Sequence, residues 1–526
     1  MAKFNQATKT RTGVQSPIKS TTTVTRTGNG ALAYERTKKS ELFLLAVSNF
    51  VGKDTFYESA KNRDDRFSKL CQEVAVEDGK WFIQFVGWLR NEAFMRSAAV
   101  VAAVEGADAL YRNGFAGSTL PREVIAASMA RADEPGEVLA YFKSRSGKRY
   151  PSYLKKGVAD GVRKLYNEYS LLKYDTESKG FRFADVIQLS HAKAKDEKQN
   201  ALFSHALDRR YGNVEVTGEH NYLLDMISTR ANLMSAPVEK RKQLIGTQAG
   251  MQTLSRAGMT WEALSGWLQG PMDAAAWQAV IPSMGHMALL RNIRNFLQAG
   301  VSQEVLRDVL NRISDPVQVS KGKQFPFRYL SAYQANRNNL RVAAALEDAL
   351  QASLANVPSL SGNTLILVDR SGSMFWSNDR NMDLTFADQA AIFGSALALR
   401  AENATLVQFG SSSSEVGFRK DDSVLTMLNK FHDLGGTSTA SALRRHLTTQ
   451  HDRVIIVTDE QYNGAVPSSV VPKNIPLYTW NLNGYAGGDY SGDSKRHTFG
   501  GLTDKAFVQI PMIEAGQQGV WPWLLK

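Results

Sequence analysis

The sequence predicts a multidomain chain, an all-α helical-repeat body followed by an α/β doubly wound domain. Apolar residues recur at helical spacing from Leu42 to about Leu354, and strand-like and helix-like runs alternate after residue 363. The length of 526 residues leaves room for several units of roughly 150 residues each. With 43% hydrophobic and 22% charged residues, the composition is that of a folded chain, not a disordered one.

Residues 1–30 form a basic, Ser/Thr-rich segment carrying Lys3, Lys9, Arg11, Lys19 and Arg26. No apolar stretch follows them, so the segment does not read as a secretory signal. The helical domain is assigned to 31–355. Leu289, Leu290, Ile293, Phe296 and Leu297 define one apolar face, with Arg291, Asn292, Arg294 and Asn295 opposite. Trp261, Leu264, Trp267 and Leu268 repeat this pattern, as do Val342, Leu346, Leu350 and Leu354, and turns such as Asn113-Gly114 and Ala236-Pro237 separate such segments. Many short helices with few strand runs imply stacked helical pairs, an α-solenoid. No crisp period supports ankyrin or tetratricopeptide arrays. Residues 356–363, with Pro358 and Gly362, read as a linker.

In the last domain, 364–526, the expected strands are 364–368, 405–409, 454–457 and 477–480, with helices at 386–399 and 437–447. That alternation predicts a mostly parallel sheet covered on both faces, with ligands bound beyond the carboxyl ends of its strands.

Charge divides the chain in the same way. Residues 361–526 hold 14 Lys and Arg against 16 Asp and Glu, net −2, while residues 1–360 hold 49 against 35, net +14. The excess positive charge of the first part suits a polyanionic partner, nucleic acid or an acidic membrane surface. No run approaches the roughly 18 apolar residues of a spanning helix, so no membrane is expected. Cys71 is the only cysteine, which excludes an internal disulfide framework and CxxC zinc or redox sites. A reducing cytoplasm is the expected compartment.

The chemistry concentrates after the first strand of the last domain. Asp369-Arg370-Ser371-Gly372-Ser373 is a D-x-S-x-S turn whose carboxylate and two hydroxyls can supply part of an octahedral shell for Mg²⁺. Gly435-Gly436-Thr437-Ser438-Thr439 precedes a helix, and Asp459 closes a strand on the same expected sheet edge. These residues resemble the metal-ion-dependent adhesion site of von Willebrand factor A domains. The resemblance implies a divalent metal, Mg²⁺, held by Asp369, Ser371, Ser373, Thr437 and Asp459, with a position left for a protein carboxylate; Thr437 is taken in preference to Thr439.

Rival chemistries find less support. An aspartyl phosphatase wants a second carboxylate where Ser371 stands. Gly28-Asn29-Gly30-Ala31-Leu32-Ala33 imitates a dinucleotide loop but lies between Thr-rich and charged residues and reads as a turn. Neither a phosphate loop nor a nucleophile elbow occurs in strand-to-helix context. A metal-dependent hydrolase would need a base beside the metal, and Asp379 and Asp383 read as loop carboxylates.

Within the basic part, Lys148, Arg149, Lys155, Lys156, Arg163 and Lys164 crowd one stretch, and Lys173, Lys179, His191, Lys193 and Lys195 follow. Tyr150, Tyr153, Tyr166, Tyr169 and Tyr174 interleave them, a combination suited to phosphates and unpaired bases of single-stranded RNA. For any single residue, a solvated helical face is the plainer explanation.

The run Leu189-Ser190-His191-Ala192-Lys193, the later Met259-Thr260-Trp261-Glu262, and 287–292 (MALLRN), followed by an A domain, are similar to the Ro autoantigen family and its TROVE module. Asn29-Gly30-Ala31, Tyr34-Glu35 and Lys39-Ser40-Glu41-Leu42 match that family's opening segment, so the resemblance runs from about Thr25 to Lys526. It implies a HEAT-like helical ring closed by the A domain and a non-enzymatic protein. A basic outer surface would hold Y-like noncoding RNA, and the hole would take single-stranded 3′ ends of misfolded RNA. The implied role is RNA quality control or an adaptor to RNA degradation, with an exoribonuclease reached through RNA. His191 and Lys193 match the family's RNA-binding element; Lys155, Lys156 and Lys173 match the preceding basic helix more loosely. The chain departs from the pattern at 194–201, which lacks the expected proline. A monomer is expected. The alternative is a protein-binding scaffold that presents a metal-dependent A domain and does not touch RNA.

Overall fold

The computed structural model describes residues 16–48, 57–147, 149–212, 221–322, 326–354, 357–376, 384–491, 495–501, 504–515 and 520–525. The chain divides into two compact units, one formed by Cys71–Ser353 and the other by Met1–Leu70 together with Leu354–Lys526.

The first unit is helical. Its helices pack mainly on neighbours near in sequence, Gly79–Asn91 on Arg96–Leu110 and Pro326–Asn336 on Leu340–Ser353 among them, the pattern expected of helical repeats. The helix His286–Gln298 buries Leu289, Leu290, Ile293 and Phe296 as its spacing predicts. Asn292, assigned to the polar side, is in fact 1% exposed. Its amide donates to the Ala288 carbonyl at 2.9 Å and accepts from Asn295 at 2.8 Å, so both polar groups are satisfied inside the fold. Val342, Leu346, Leu350 and Leu354 are all buried.

The second unit contains nine strands among its described residues. They are β1 (Ser20–Arg26), β2 (Leu32–Arg36), β3 (Leu360–Asp369), β4 (Ala401–Phe409), β5 (Ser413–Glu415), β6 (Arg453–Thr458), β7 (Leu477–Asn481), β8 (Gly487–Gly488) and β9 (Arg496–Gly500). Six of them form a sheet in the order β5-β4-β3-β6-β7-β9, parallel throughout except for β5, which pairs antiparallel with β4 at the edge. One face buries Leu365, Leu367, Val407, Ile456 and Leu477 against Ala442 and Leu443 of the helix Thr439–His446. The helix Phe386–Arg400 packs on β3 and β4, and the helix Lys38–Ser48 packs on β9. Near-continuous burial of the central strands is why they read as unbroken apolar runs. The chain leaves β3 on one side toward β4 and returns on the other to β6, which makes the carboxyl end of β3 the switch point of the sheet.

Two boundaries differ from those the sequence predicts. The strand β3 begins at Leu360, inside the assigned linker 356–363. The hairpin β1–β2, divided in the sequence assignment between an N-terminal segment and the helical domain, joins β8 in a three-stranded sheet of the α/β unit. Its turn at Gly28-Asn29-Gly30 links two antiparallel strands, where a dinucleotide loop would lead from strand to helix.

Candidate metal centre and nucleic-acid surface

The end of β3 and the end of β6 lie side by side because the strands are parallel neighbours in register, Val368 opposite Val457. Asp369 and Asp459 therefore emerge together, both fully buried. Asp369 accepts from the Ser371 backbone N–H at 2.9 Å and from the Thr458 hydroxyl at 2.6 Å. Asp459 accepts from the Gln461 N–H at 3.0 Å through one oxygen, while its other oxygen, Oδ2, is buried with no hydrogen-bond partner. The Ser371 and Ser373 hydroxyls are 3.3 Å apart on the same turn.

The third loop is tied to the first and to the end of β4 by backbone bonds. The Gly372 N–H donates to the Gly435 carbonyl at 2.5 Å, Leu434 N–H to Arg370 carbonyl at 3.0 Å, and Ser438 N–H to Gly410 carbonyl at 2.9 Å. Thr437 is thereby carried to the same sheet edge and is buried. Thr439 lies within the following helix, its hydroxyl buried and without a hydrogen-bond partner. The five residues nominated for a metal thus sit on three loops at one end of the sheet.

The electrostatics ask for a cation. Burial, and then the charge of Asp369, push the Asp459 carboxyl up to about 7 despite help from Ser373 and the Gln461 backbone. Burial likewise raises Asp369, against hydrogen bonds from Thr458 and Ser371. Two buried carboxylates, an orphaned carboxylate oxygen and three neighbouring hydroxyls form a hard-oxygen set that fits Mg²⁺. A bound cation would neutralise the pair and attract a further oxygen ligand. Among the described residues no group of three or more His, Cys, Asp or Glu converges on a metal position, so a zinc-type centre is not formed. Asp379 and Asp383 lie outside the described residues.

Sequence reasoning missed the residues that close over this centre. The Gly28 N–H donates to Gln461 Oε1 at 2.5 Å, the Asn29 amide to the Gln461 carbonyl at 2.8 Å, and the Thr27 hydroxyl to the Tyr462 carbonyl at 2.9 Å. Tyr57 donates to Asn29 Oδ1 at 2.8 Å. Burial and then Asp459 raise the Tyr57 phenol, which also hydrogen-bonds Ser373, so its ring belongs to the site. A Cβ on Gly28 would stand 2.4 Å from the Tyr57 ring, so only glycine allows this contact. Next to the centre, Glu460 adopts a left-handed φ of 60° and forms a fully buried ion pair with Arg36, supported by Asn481 at 2.5 Å. The Asn29-Gly30 and Tyr34-Glu35 pieces of the opening segment were the available signal.

The nominated RNA-binding residues lie on successive elements of the helical unit. Lys155, half-buried, and Lys156, exposed, are on the helix Ser152–Leu165; Lys173 is exposed on Glu168–Tyr174. His191 caps the end of Phe183–Ser190 in a left-handed conformation, φ 53°, with its side chain exposed, and Lys193 is exposed just beyond. A loop and the Asp196 cap of Glu197–Tyr211 occupy the stretch that lacks the expected proline.

The arginines nearby are committed. Arg90 and Arg96 pair with Glu134, Arg131 with Asp133, Arg145 with Glu105, and Arg182 with Asp175. By contrast, Lys155, Lys156, Arg163, Lys164 and Lys193 have no acidic partner among the described residues. Lys148 lies outside the described residues.

Residues 137–353, which hold all five nominated positions, match the family model described as the TROVE domain. Residues 137–353 thus form a TROVE domain, and the chain is similar to Ro proteins. The RNA-binding protein RO60 of Deinococcus radiodurans is 24% identical over 315 residues, 55% of this chain and 56% of that protein. Telomerase protein component 1 of Mus musculus is 36% identical over 92 residues, 17% of this chain and 3% of that protein. The chain thus spans about half, or far less, of the curated relatives it matches. The crystal structure of the D. radiodurans Ro (RSR) protein shares the fold, with a TM-score of 0.60 at 17% identity, covering 91% of this chain and 100% of that one. The TROVE match lies within the helical part and ends at Ser353, ahead of β3.

Proposed function

We propose that this TROVE protein is a non-enzymatic RNA-binding protein of the Ro ribonucleoprotein type. The observation that carries the reading is the set of exposed, unpaired cations at Lys156, Arg163, Lys164 and Lys193 inside the matched segment, beside arginines already neutralised by carboxylates. Phosphates are the ligands such cations await. The naming of the D. radiodurans relative as an RNA-binding protein supports the same reading.

In finer terms, the basic helical surface holds a Y-like noncoding RNA, and single-stranded 3′ ends of misfolded RNA enter a hole in a HEAT-like ring. The protein serves RNA quality control or links RNA to an exoribonuclease. It works as a monomer in the cytoplasm. The α/β unit binds Mg²⁺ through Asp369, Ser371, Ser373, Thr437 and Asp459, and offers the ion to a carboxylate of a partner protein.

Filter binding tests the proposal, comparing a structured RNA bearing a single-stranded 3′ tail with its blunt form at two salt concentrations. The tailed RNA should bind more tightly and lose affinity with salt. Charge reversal of Lys155, Lys156 and Lys193 should flatten the log–log salt slope by about 0.7 for each phosphate that is no longer neutralised. If folded protein binds neither RNA, the scaffold function takes its place; turnover of RNA or phosphoesters with Mg²⁺ that disappears in Asp369→Ala would make it an enzyme.

A further inference from the structure

Three stretches that the sequence singles out separately meet at one cavity of the helical unit. Lys173, the run 259–262 and Ala288 line the same space of about 140 Å³, with Tyr169 at its side. Pockets for drug-sized ligands run to about 300–1,000 Å³, so this one suits a single flat ring system.

Its walls are held in place. Arg230 is buried and donates to the carbonyls of Ala257 and Gly258 at 2.9 and 2.6 Å, fixing the loop before Trp261. Gly258 has φ 57°, and a Cβ there would stand 2.7 Å from Met226 Sδ and 3.3 Å from the Tyr169 ring, so a side chain would crowd the cavity wall. Trp261 is half-buried and backed by Trp277, their ring centroids 5.8 Å apart. The Lys173 ammonium lies 5.4 Å from the centroids of both Tyr169 and Tyr174. Partial burial pulls its pKa down, but Tyr174, Tyr169 and then Glu262 more than offset this, so Lys173 stays charged within the field of the Glu262 carboxylate. Among the described residues neither Lys173 nor Glu262 has an ion-pair partner.

We infer that this cavity takes the base of one unpaired guanine in an RNA strand, stacked against Trp261 and Tyr169, with Lys173 on its O6 and Glu262 on its N1–H and N2–H donors. Of the four bases, guanine alone sets a carbonyl acceptor beside two donors, the complement of an ammonium beside a carboxylate. Uracil offers one donor between two carbonyls, while adenine and cytosine turn a ring-nitrogen lone pair toward the carboxylate. Aromatic platforms read by polar groups at the base edge are the usual means of recognising unpaired RNA. The inference rests on the RNA-binding reading and adds a base preference to it.

Glu262 also sits in the first turn of the helix Trp261–Leu268, where an acid is favourable in itself. The test therefore reads base preference and not stability. Fluorescence anisotropy of the full chain would compare a labelled oligouridine with the same oligomer carrying one guanosine, inosine or adenosine. Guanosine should tighten binding about tenfold, within the range of a bidentate base contact, and inosine, lacking the 2-amino group, should lose part of that gain. Glu262→Gln, on an exposed side chain, should abolish the preference, bringing the guanosine oligomer to the affinity of oligouridine for the same variant. Tyr169→Ala should weaken the guanosine oligomer more than oligouridine. Oligouridine binding with no guanosine preference, or a preference that survives Glu262→Gln, overturns the guanine pocket. Failure of folded wild-type protein to bind any oligomer overturns the RNA-binding reading beneath it.

Discussion

Burying two carboxylates at the ends of adjacent strands is costly unless a positive charge joins them. Asp369 and Asp459 are such a pair, and Asp459 keeps one oxygen without a partner. Mg²⁺ should therefore raise the melting temperature of the α/β unit and EDTA should lower it, since a ligand at 100 times its Kd adds about 2.7 kcal/mol. Asp369→Asn should abolish that response while leaving metal-free stability equal or higher, because one buried charge is removed; a melting temperature indifferent to Mg²⁺ in the wild type would refute the site. RNA affinity should be unchanged by Asp369→Ala, whose residue belongs to the other compact unit. A second residue separates strain from function. His191 holds a left-handed conformation that glycine adopts freely. His191→Gly should keep stability within about 1 kcal/mol of wild type or better while weakening RNA binding; denaturant melts and filter binding together decide it. The residues nominated for a metal could be picked out because D-x-S-x-S and Gly-Gly-Thr are local patterns, and the fold brings their loops to one end of the sheet. Tyr57 and Asn29 could not be, because nothing near them in sequence announces Ser373 or Gln461 as neighbours.

The strands and helices that make the sheet were legible for a related reason. Burial on both faces leaves continuous apolar runs at β3, β4, β6 and β7, and such runs mark the strands with ends off by only a few residues. The short edge strand β5 and the two-residue β8 carry no such pattern. The hairpin β1–β2 was invisible as part of this unit, since its contacts with Gln461 and Tyr462 cross more than 400 residues of chain. Those contacts predict that Gly28→Ala will be severe for so small a change. The added methyl meets the Tyr57 ring and Gln461 Oε1, and overpacking of this kind costs about 1–3 kcal/mol. A thermal melt of the full chain would show it as a loss confined to the transition of the α/β unit.

Charge reads differently along the sequence and over the folded units. The +14 of residues 1–360 and the −2 of the remainder do not divide as the two compact units do: residues 1–70, with 13 Lys and Arg against 6 Asp and Glu, belong to the α/β unit, which leaves net +7 on residues 71–353 and net +5 on the rest, so both units suit a polyanion. What charge could not show is which cations are free, because pairing with Glu134, Asp133 or Asp175 is decided by packing. The order of elements also matters during biosynthesis. A ribosome releases β1 and β2 ahead of the helical body and their partners at Gln461, Tyr462 and β8 long after it, so the hairpin waits unpaired in the interval. In a chain whose hairpin is missing or damaged, the buried carboxylate of Glu460 has no Arg36 to meet, and leaving such a charge without its partner costs about 3–5 kcal/mol. Completion of the α/β unit is thus a check, made late in translation, that β1 and β2 are present and intact.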